Sequence, residues 1–368
     1  MNKIHSDFIA IEKIKVFAYK IPTDAHEADG TLDWDSTILI LVESHGGGKI
    51  GLGYTYADLA TAQLINDQLS KVVLNKNALT VKDCWVSMVQ SIRNLGRPGI
   101  SSMAISAVDT SLWELKAKIL NTPLATLLDQ VTRDVPIYGS GGFTSYSNQQ
   151  LTSQLENWKS QGITRFKIKV GRDFKQDIER VKLSREIIGP DAELYVDANG
   201  AYSRKEALYI AERFSENKVT WFEEPVVADD LPGLHLMRNR APAGMEIAAG
   251  EYGYDLVYFK RMLESEAVDV LQADATRCGG YTTFLQAGAL CHSRALSLSS
   301  HCAPQLHMHA CSALISLRHL EYFHDHVRIE NMLFDGAISP RNGTLTPDLM
   351  RPGMGLEFKF KDAARFQL

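Results

Sequence analysis

TRFKIKVG, at residues 164–171, sets a pattern that recurs down the chain: a short apolar strand closes on a charged residue, here Lys169, and FKQDIERVKLSREII follows with helical periodicity. The same pattern returns in AELYVDAN (192–199), VTWFEEP (219–225), MEIAAGE (245–251), AVDVLQAD (267–274), LSLSSHCAP (296–304) and LEYF (320–323). Apolar strands alternating with amphipathic helices build a parallel sheet. The residues that close the strands are Lys169, Asp197, Glu223, Glu251, Asp274, His301 and Glu321, separated by 28, 26, 28, 23, 27 and 20 residues, about the length of one βα unit. So long a succession predicts a closed α/β barrel with PIYGSGGF (136–143) as its first strand. In such a barrel the carboxyl ends of the strands converge on one mouth, so all seven residues should ring a single site.

Upstream of residue 135 the texture differs. IEKIKVFAYKI (11–21) and STILILVES (36–44) read as meander strands, and AISAVDTSLWELKAKIL (104–120) repeats its apolar positions at three and four, as a helix does. Between the two strands, residues 22–35 (PTDAHEADGTLDWD) are polar and turn-rich and are expected to form a loop. The expected division is an α+β cap over residues 1–134, a barrel over 135–335 and a tail over 336–368 that packs back on the cap.

Among the 368 residues, 39 Lys and Arg stand against 44 Asp and Glu, a net charge of −5 with no basic arm, which argues against nucleic-acid and anionic-membrane partners. No apolar run reaches the length of a membrane span. Five cysteines without a CxxC pair fit a reducing compartment, and a cytoplasmic location is expected.

Asp197, Glu223 and Glu251 close neighbouring strands and offer only oxygen, the ligand set of a hard divalent ion, Mg²⁺ first and Mn²⁺ second. Alternate strand residues face opposite sides, so Glu223 is expected at the mouth and Glu224 in a supporting place. Lys167 and Lys169, two apart, both point inward; two nearby ammonium groups should lower at least one pKa and supply a base. Opposite them, Asp274 can fix the tautomer of His301 to make a second acid/base, and Glu321, if protonated, can donate to a developing oxyanion. A divalent ion flanked by two bases suits removal of the weakly acidic proton beside a carboxylate.

These motifs together, with VDANG carrying Asp197 and Asn199 and QADATRCGG carrying Asp274 and Arg277, resemble the enolase superfamily over nearly the whole chain, in particular its mandelate racemase-like group with acid-sugar dehydratases. The resemblance implies a modified (β/α)7β TIM-like barrel under an N-terminal α+β capping domain, and a homo-oligomer, dimer to octamer. It assigns Asp197, Glu223 and Glu251 to the metal, Lys169 supported by Lys167 to one base, His301 with Asp274 to the other, and Glu321 to the oxyanion. Cap loops, here the stretch from Pro22 to Trp34 and Gly53 to Tyr56, then read the distal substrate, which points to Asp24, His26, Glu27, Asp29, Tyr54 and Tyr56, with Asn199 and Arg277 at the mouth; the polarity of the cap residues favours a polyhydroxy acid.

The reaction expected is Mg²⁺-dependent dehydration of an aldonate or aldarate to a 2-keto-3-deoxy acid. Racemisation or epimerisation of a 2-hydroxy acid, and cycloisomerisation of a sugar-acid lactone or anhydro-sugar acid, use the same proton abstraction. A non-enzymatic sugar-acid-binding protein would not need the intact base set. The glycines of GSGGF lack both nucleotide-binding spacings, and His307 and His309 read as helical supporting residues.

Overall fold

The computed structural model describes residues 8–368. Eight parallel strands form the barrel: β4 (Val135–Gly141), β5 (Arg165–Lys169), β6 (Glu193–Asp197), β7 (Val219–Glu223), β8 (Glu246–Ala249), β9 (Val270–Ala273), β10 (Ser297–Ser300) and β11 (Leu317–Phe323). They pair in sequence order, and β11 returns to pair with β4 and close the ring. A helix follows each strand. Local chemistry starts several of them: Asp173, Asp230 and Asp255 accept from the first-turn amides, and Ser147 with Gln150 and Ser203 with Glu206 form capping boxes.

The cap begins with an antiparallel meander, β1 (Lys13–Ala28), β2 (Asp33–Gly46) and β3 (Lys49–Tyr56), covered by the helix Ile100–Ile119. Gly51 and Gly53 permit that packing, because a Cβ at either would come within 2.2 or 2.3 Å of a helix carbonyl oxygen. The stretch expected to be a loop is a hairpin arm instead. Glu27 pairs with Trp34 and Ala28 with Asp33, and a register shift between Pro22 and Glu27 bends β1. Its polar residues read as a turn, yet an arm whose outer positions meet solvent can carry polar side chains and stay paired.

The tail touches both parts. Thr344–Leu345 lies antiparallel on β4, while Leu368 N–H donates to the Ala18 carbonyl of the cap. No helix among the described residues is long and apolar enough to cross a membrane.

Candidate active site

The barrel's inward face is layered by the pleat. Tyr138, Tyr195 and Trp221 fill an aromatic floor with Ala248 and Val270. Two residues further along their strands, Tyr195 and Trp221 give way to Asp197 and Glu223. Lys167, Lys169, Asp197, Glu223, Glu251, Asp274, His301 and Glu321 are all buried at this level.

The chain turns sharply just after several of these residues. Asn199, Glu224, Cys302 and Ala303 have φ between 38° and 53°, a region sparsely used by non-glycine residues, and such strain gathers at functional sites. Gly250 (φ 137°) sits where a Cβ would fall 2.1 Å from the Gln272 carbonyl oxygen, so only glycine presents Glu251 this way.

Asp197, Glu223 and Glu251 bring ligand oxygens within 4.8 Å of one another. Glu251 Oε2 is buried without a hydrogen bond, 3.3 Å from His301 Nε2. Three buried carboxylates and an unsatisfied oxygen fit a hard divalent cation of the Mg²⁺ kind. Trp221 Nε1 donates to Glu223 Oε2 (2.9 Å) and orients it from the floor. Glu224 is buried beside the group with its Oε1 unpartnered; burial, then the Glu251 charge, push its carboxyl well above the ordinary range.

The lysines differ from the expectation. Lys167 Nζ lies 2.5 Å from Glu223 and 2.7 Å from Glu321, and Lys169 Nζ lies 2.5 Å from Asp197 Oδ2 and 3.1 Å from Asn199 Oδ1. Burial opposes both ammonium groups, but these carboxylates outweigh it and the lysine–lysine repulsion, and both pKa values rise. Asp197 is held at about 2, since the two lysines overcome its burial. Glu321 also departs from its expected role as a protonated donor. It accepts from Lys167 and from the Cys302 amide (2.9 Å), and Lys167 and His301 hold it well below the carboxylate range despite burial.

Across the mouth, His301 Nδ1 lies 2.8 Å from Asp274 Oδ2, while Thr276 N–H and Oγ1–H donate to Asp274 Oδ1. Burial disfavours the Asp274 anion, but His301 and His307 keep it below its usual pKa. His307, on the helix Pro304–Ser312, accepts the Ala275 amide at Nε2.

Above this ring is a cavity. Lys169, Asn199, Glu251, Arg277, His301 and Glu321 form its base; Leu32, Trp34, Ile38 and Tyr56 of the cap, with Phe323 and His326, form its upper wall. Arg277 reaches Glu251 Oε1 (3.3 Å). Of the expected cap readers, Asp29 and Tyr56 line this cavity, and Asp24, His26, Glu27 and Tyr54 lie elsewhere. Tyr54 is fully buried outside the cavity lining, its hydroxyl donating to Glu330 (2.6 Å), and His26 is exposed on the arm against Asp33. Tyr56, one pleat beyond Tyr54 and expected with it, does line the wall, its ring stacked on that of His326 with centroids 3.5 Å apart. Trp34 ends the stretch expected to close over the mouth, and it lines the cavity from a paired strand rather than a loop; His326 carried no sequence signal as a lining residue, because it lies beyond the last strand. Arg97, in the basic loop before the Ile100–Ile119 helix, bonds the Tyr254 carbonyl near the mouth.

Residues 150–363 match the family described as enolase C-terminal domain-like, and residues 13–129 match the mandelate racemase / muconate lactonizing enzyme N-terminal domain. The chain belongs to the enolase superfamily and, within it, to the mandelate racemase / muconate lactonizing enzyme family; it is an enzyme of that type. It is 31% identical to a 3,6-anhydro-alpha-L-galactonate cycloisomerase of Streptomyces coelicolor, over 96% of this chain and 99% of the relative. A mandelate racemase/muconate lactonizing enzyme-like protein from Rubrobacter xylanophilus superposes with a TM-score of 0.96 at 50% identity, covering 98% of this chain and 100% of the other. L-talarate/galactarate dehydratase of Salmonella typhimurium, liganded with Mg and L-lyxarohydroxamate, superposes with a TM-score of 0.91 at 26% identity, covering 100% and 95%.

Proposed function

We propose that the protein is a Mg²⁺-dependent dehydratase of a monocarboxylic acid sugar, an aldonate, which it converts to a 2-keto-3-deoxy acid. The observation that carries this reading is the placing of two proton-transfer groups, Lys169 and the Asp274-oriented His301, on opposite sides of one carboxylate cluster. Mg²⁺ held by Asp197, Glu223 and Glu251 supplies Lewis-acid stabilisation of the charge that develops on the substrate carboxylate. Asp197 is the partner that raises the Lys169 pKa, so a cation engaging that carboxylate would withdraw the support for the ammonium, and Lys169 Nζ in its neutral form would take the C2 proton. His301 Nε2 protonates the departing 3-hydroxyl, water leaves, and the enol tautomerises to the keto acid. Lys167 positions Glu223 and Glu321, and the cap arm keeps bulk water from the carbanion.

The wall favours a monoacid. Among the described lining residues the basic side chains are Lys169, Arg277, His301 and His326, and burial holds His326 down at about 3, so it is neutral. The other three stand beside the metal carboxylates, whereas the charged groups under the cap are Asp29 and Asp58. The second carboxylate of an aldarate would lose water there without gaining a cation, a penalty of several kcal/mol.

Cycloisomerisation of an anhydro-sugar acid is the second reading. If the C3 oxygen belongs to a ring ether, the same elimination opens the ring and releases no water. The near-full-length similarity to the Streptomyces enzyme and the apolar Trp34–Tyr56–Phe323 wall favour it.

A panel of stereoisomeric aldonates, aldarates and anhydro-aldonates, incubated with Mg²⁺ and followed for 2-keto acid and product mass, tests both. Loss of water from an aldonate supports the first reading and an isomeric keto acid the second; turnover of aldarates alone overturns the monoacid assignment. The buried, unpaired cysteines support a cytoplasmic location, and a homo-oligomer completes the proposal.

A further inference from the structure

Away from the mouth, on the outer side of the cap arm, Asp24, Glu27 and His324 bring one ligand atom each within 4.8 Å of one another. Asp24 and Glu27 belong to β1; His324 opens the helix His324–Leu333 directly after β11. His324 Nε2 lies 3.0 and 3.2 Å from the two Asp24 oxygens. Glu27 has no exposed surface. Its Oε2 accepts from Trp34 Nε1 (2.7 Å), but its Oε1 is buried with no hydrogen-bond partner. The nearby cation does not supply one, because Arg328 donates to the Pro22 carbonyl (2.7 Å) and to Asp325. An orphaned carboxylate oxygen in a dry place is costly unless a proton or a cation meets it; burial, then the Asp325 charge, raise the Glu27 carboxyl to about 8, so it holds a proton that a bound cation would displace. Asp24 and His324 also line two adjoining surface depressions, which give an ion a way in.

We propose that Asp24, Glu27 and His324 form a second divalent-cation site, selective for a borderline ion such as Zn²⁺, that clamps the cap arm to the barrel rim. An imidazole nitrogen with two carboxylates suits Zn²⁺, which accepts nitrogen and leaves a position open for water, whereas Mg²⁺ prefers the all-oxygen set at the mouth. The two sites thus differ in ligand chemistry as well as place. The clamp bears on the cavity through its neighbours: Glu27 holds Trp34, and His324 follows Phe323, both of which line the upper wall. An ion here fixes the arm closed and leaves the chemistry at the mouth to other groups.

The test is equilibrium dialysis and thermal melting of metal-stripped full-length protein with Zn²⁺ under saturating Mg²⁺. One Zn²⁺ per chain and a raised melting temperature are expected for the natural sequence. His324→Ala and the near-isosteric Glu27→Gln should weaken Zn²⁺ binding about 100-fold and abolish the shift, with the Mg²⁺ affinity kept. His301, Cys302 and Glu321 also gather potential ligands, so Cys302→Ser is included and should bind Zn²⁺ unchanged. Zn²⁺ binding that survives His324→Ala, that falls with Cys302→Ser, or that is absent under saturating Mg²⁺ overturns the proposal.

Discussion

The barrel floor and the barrel mouth are built by the same inward-facing strand positions, one pleat apart, yet they do opposite work. At the floor, Tyr195 and Trp221 stack at 5.4 Å and Tyr138 meets Tyr195 at 5.6 Å, an aromatic layer that removes apolar surface from water. At the mouth the next residues are charged, fully buried and mutually repelling in part, an arrangement that contributes weakly to stability and is held for its chemistry. The two layers are linked: Trp221 donates to Glu223, and Lys167 lies over the Tyr138 ring at 5.3 Å. The floor thus sets the geometry at which the mouth is useful.

Changes at the mouth should therefore strike turnover far harder than folding. Asp274→Asn keeps the side-chain shape but removes the anion that fixes the His301 tautomer. Turnover is expected to fall about 10³-fold or more, with stability within about 1 kcal/mol of the natural protein, as read by steady-state rates and chemical denaturation. An equally large loss of stability would mean that the mouth, like the floor, serves mainly to hold the fold.

The floor should answer in the reverse sense. Trp221→Ala opens a cavity in the aromatic layer and is expected to cost about 3–5 kcal/mol of stability. Trp221→Phe retains the ring and loses only the donor to Glu223, so denaturation should show about 1–2 kcal/mol, and calorimetry an Mg²⁺ affinity about tenfold weaker. If the Phe variant binds Mg²⁺ as the natural protein does, floor and mouth are uncoupled.

The smallest effect is expected at the seam between cap and barrel, where Tyr54 donates to Glu330. Burial raises the Glu330 carboxyl from 4.5 to about 8. A raised folded-state pKa means the folded chain binds the proton more tightly than the unfolded chain does. This contribution to stability is complete below about pH 4.5 and is lost as pH climbs through 8. Glu330→Gln removes the titration, so its melting temperature relative to the natural protein should rise by about 2–5 °C between pH 5 and pH 8.5. A pH-independent difference would place the Glu330 proton in solvent exchange at its ordinary pKa.

Much of the barrel was legible because its pattern is local: each strand is an apolar run closed by one polar residue, and the spacing counts the helices between. The clustering of Asp197, Glu223 and Glu251 follows from that count, since barrel closure brings strand ends together whatever their separation in sequence. What escaped depends on groups that meet across the fold. The lysine–lysine repulsion was visible at a spacing of two, but the carboxylates that reverse its effect arrive from other strands. Tyr54 and Tyr56 share a strand face, and only the packing of the His324–Leu333 helix sends the first to Glu330 and the second to the cavity. The arm over residues 22–35 was hidden by its polar composition, which an exposed hairpin and a loop hold in common.

In the proposed reaction the mouth removes a proton from carbon beside a carboxylate. Its most direct test is solvent-deuterium incorporation at C2 of aldonates and anhydro-aldonates in D₂O with Mg²⁺, measured by NMR for the natural protein and for Lys169→Met. C2 exchange or 2-keto acid formation is expected with at least one member of the panel, reduced about 10³-fold or more in the variant. No exchange and no product with any member, or exchange that persists in Lys169→Met on the substrate the natural protein turns over, would contradict it.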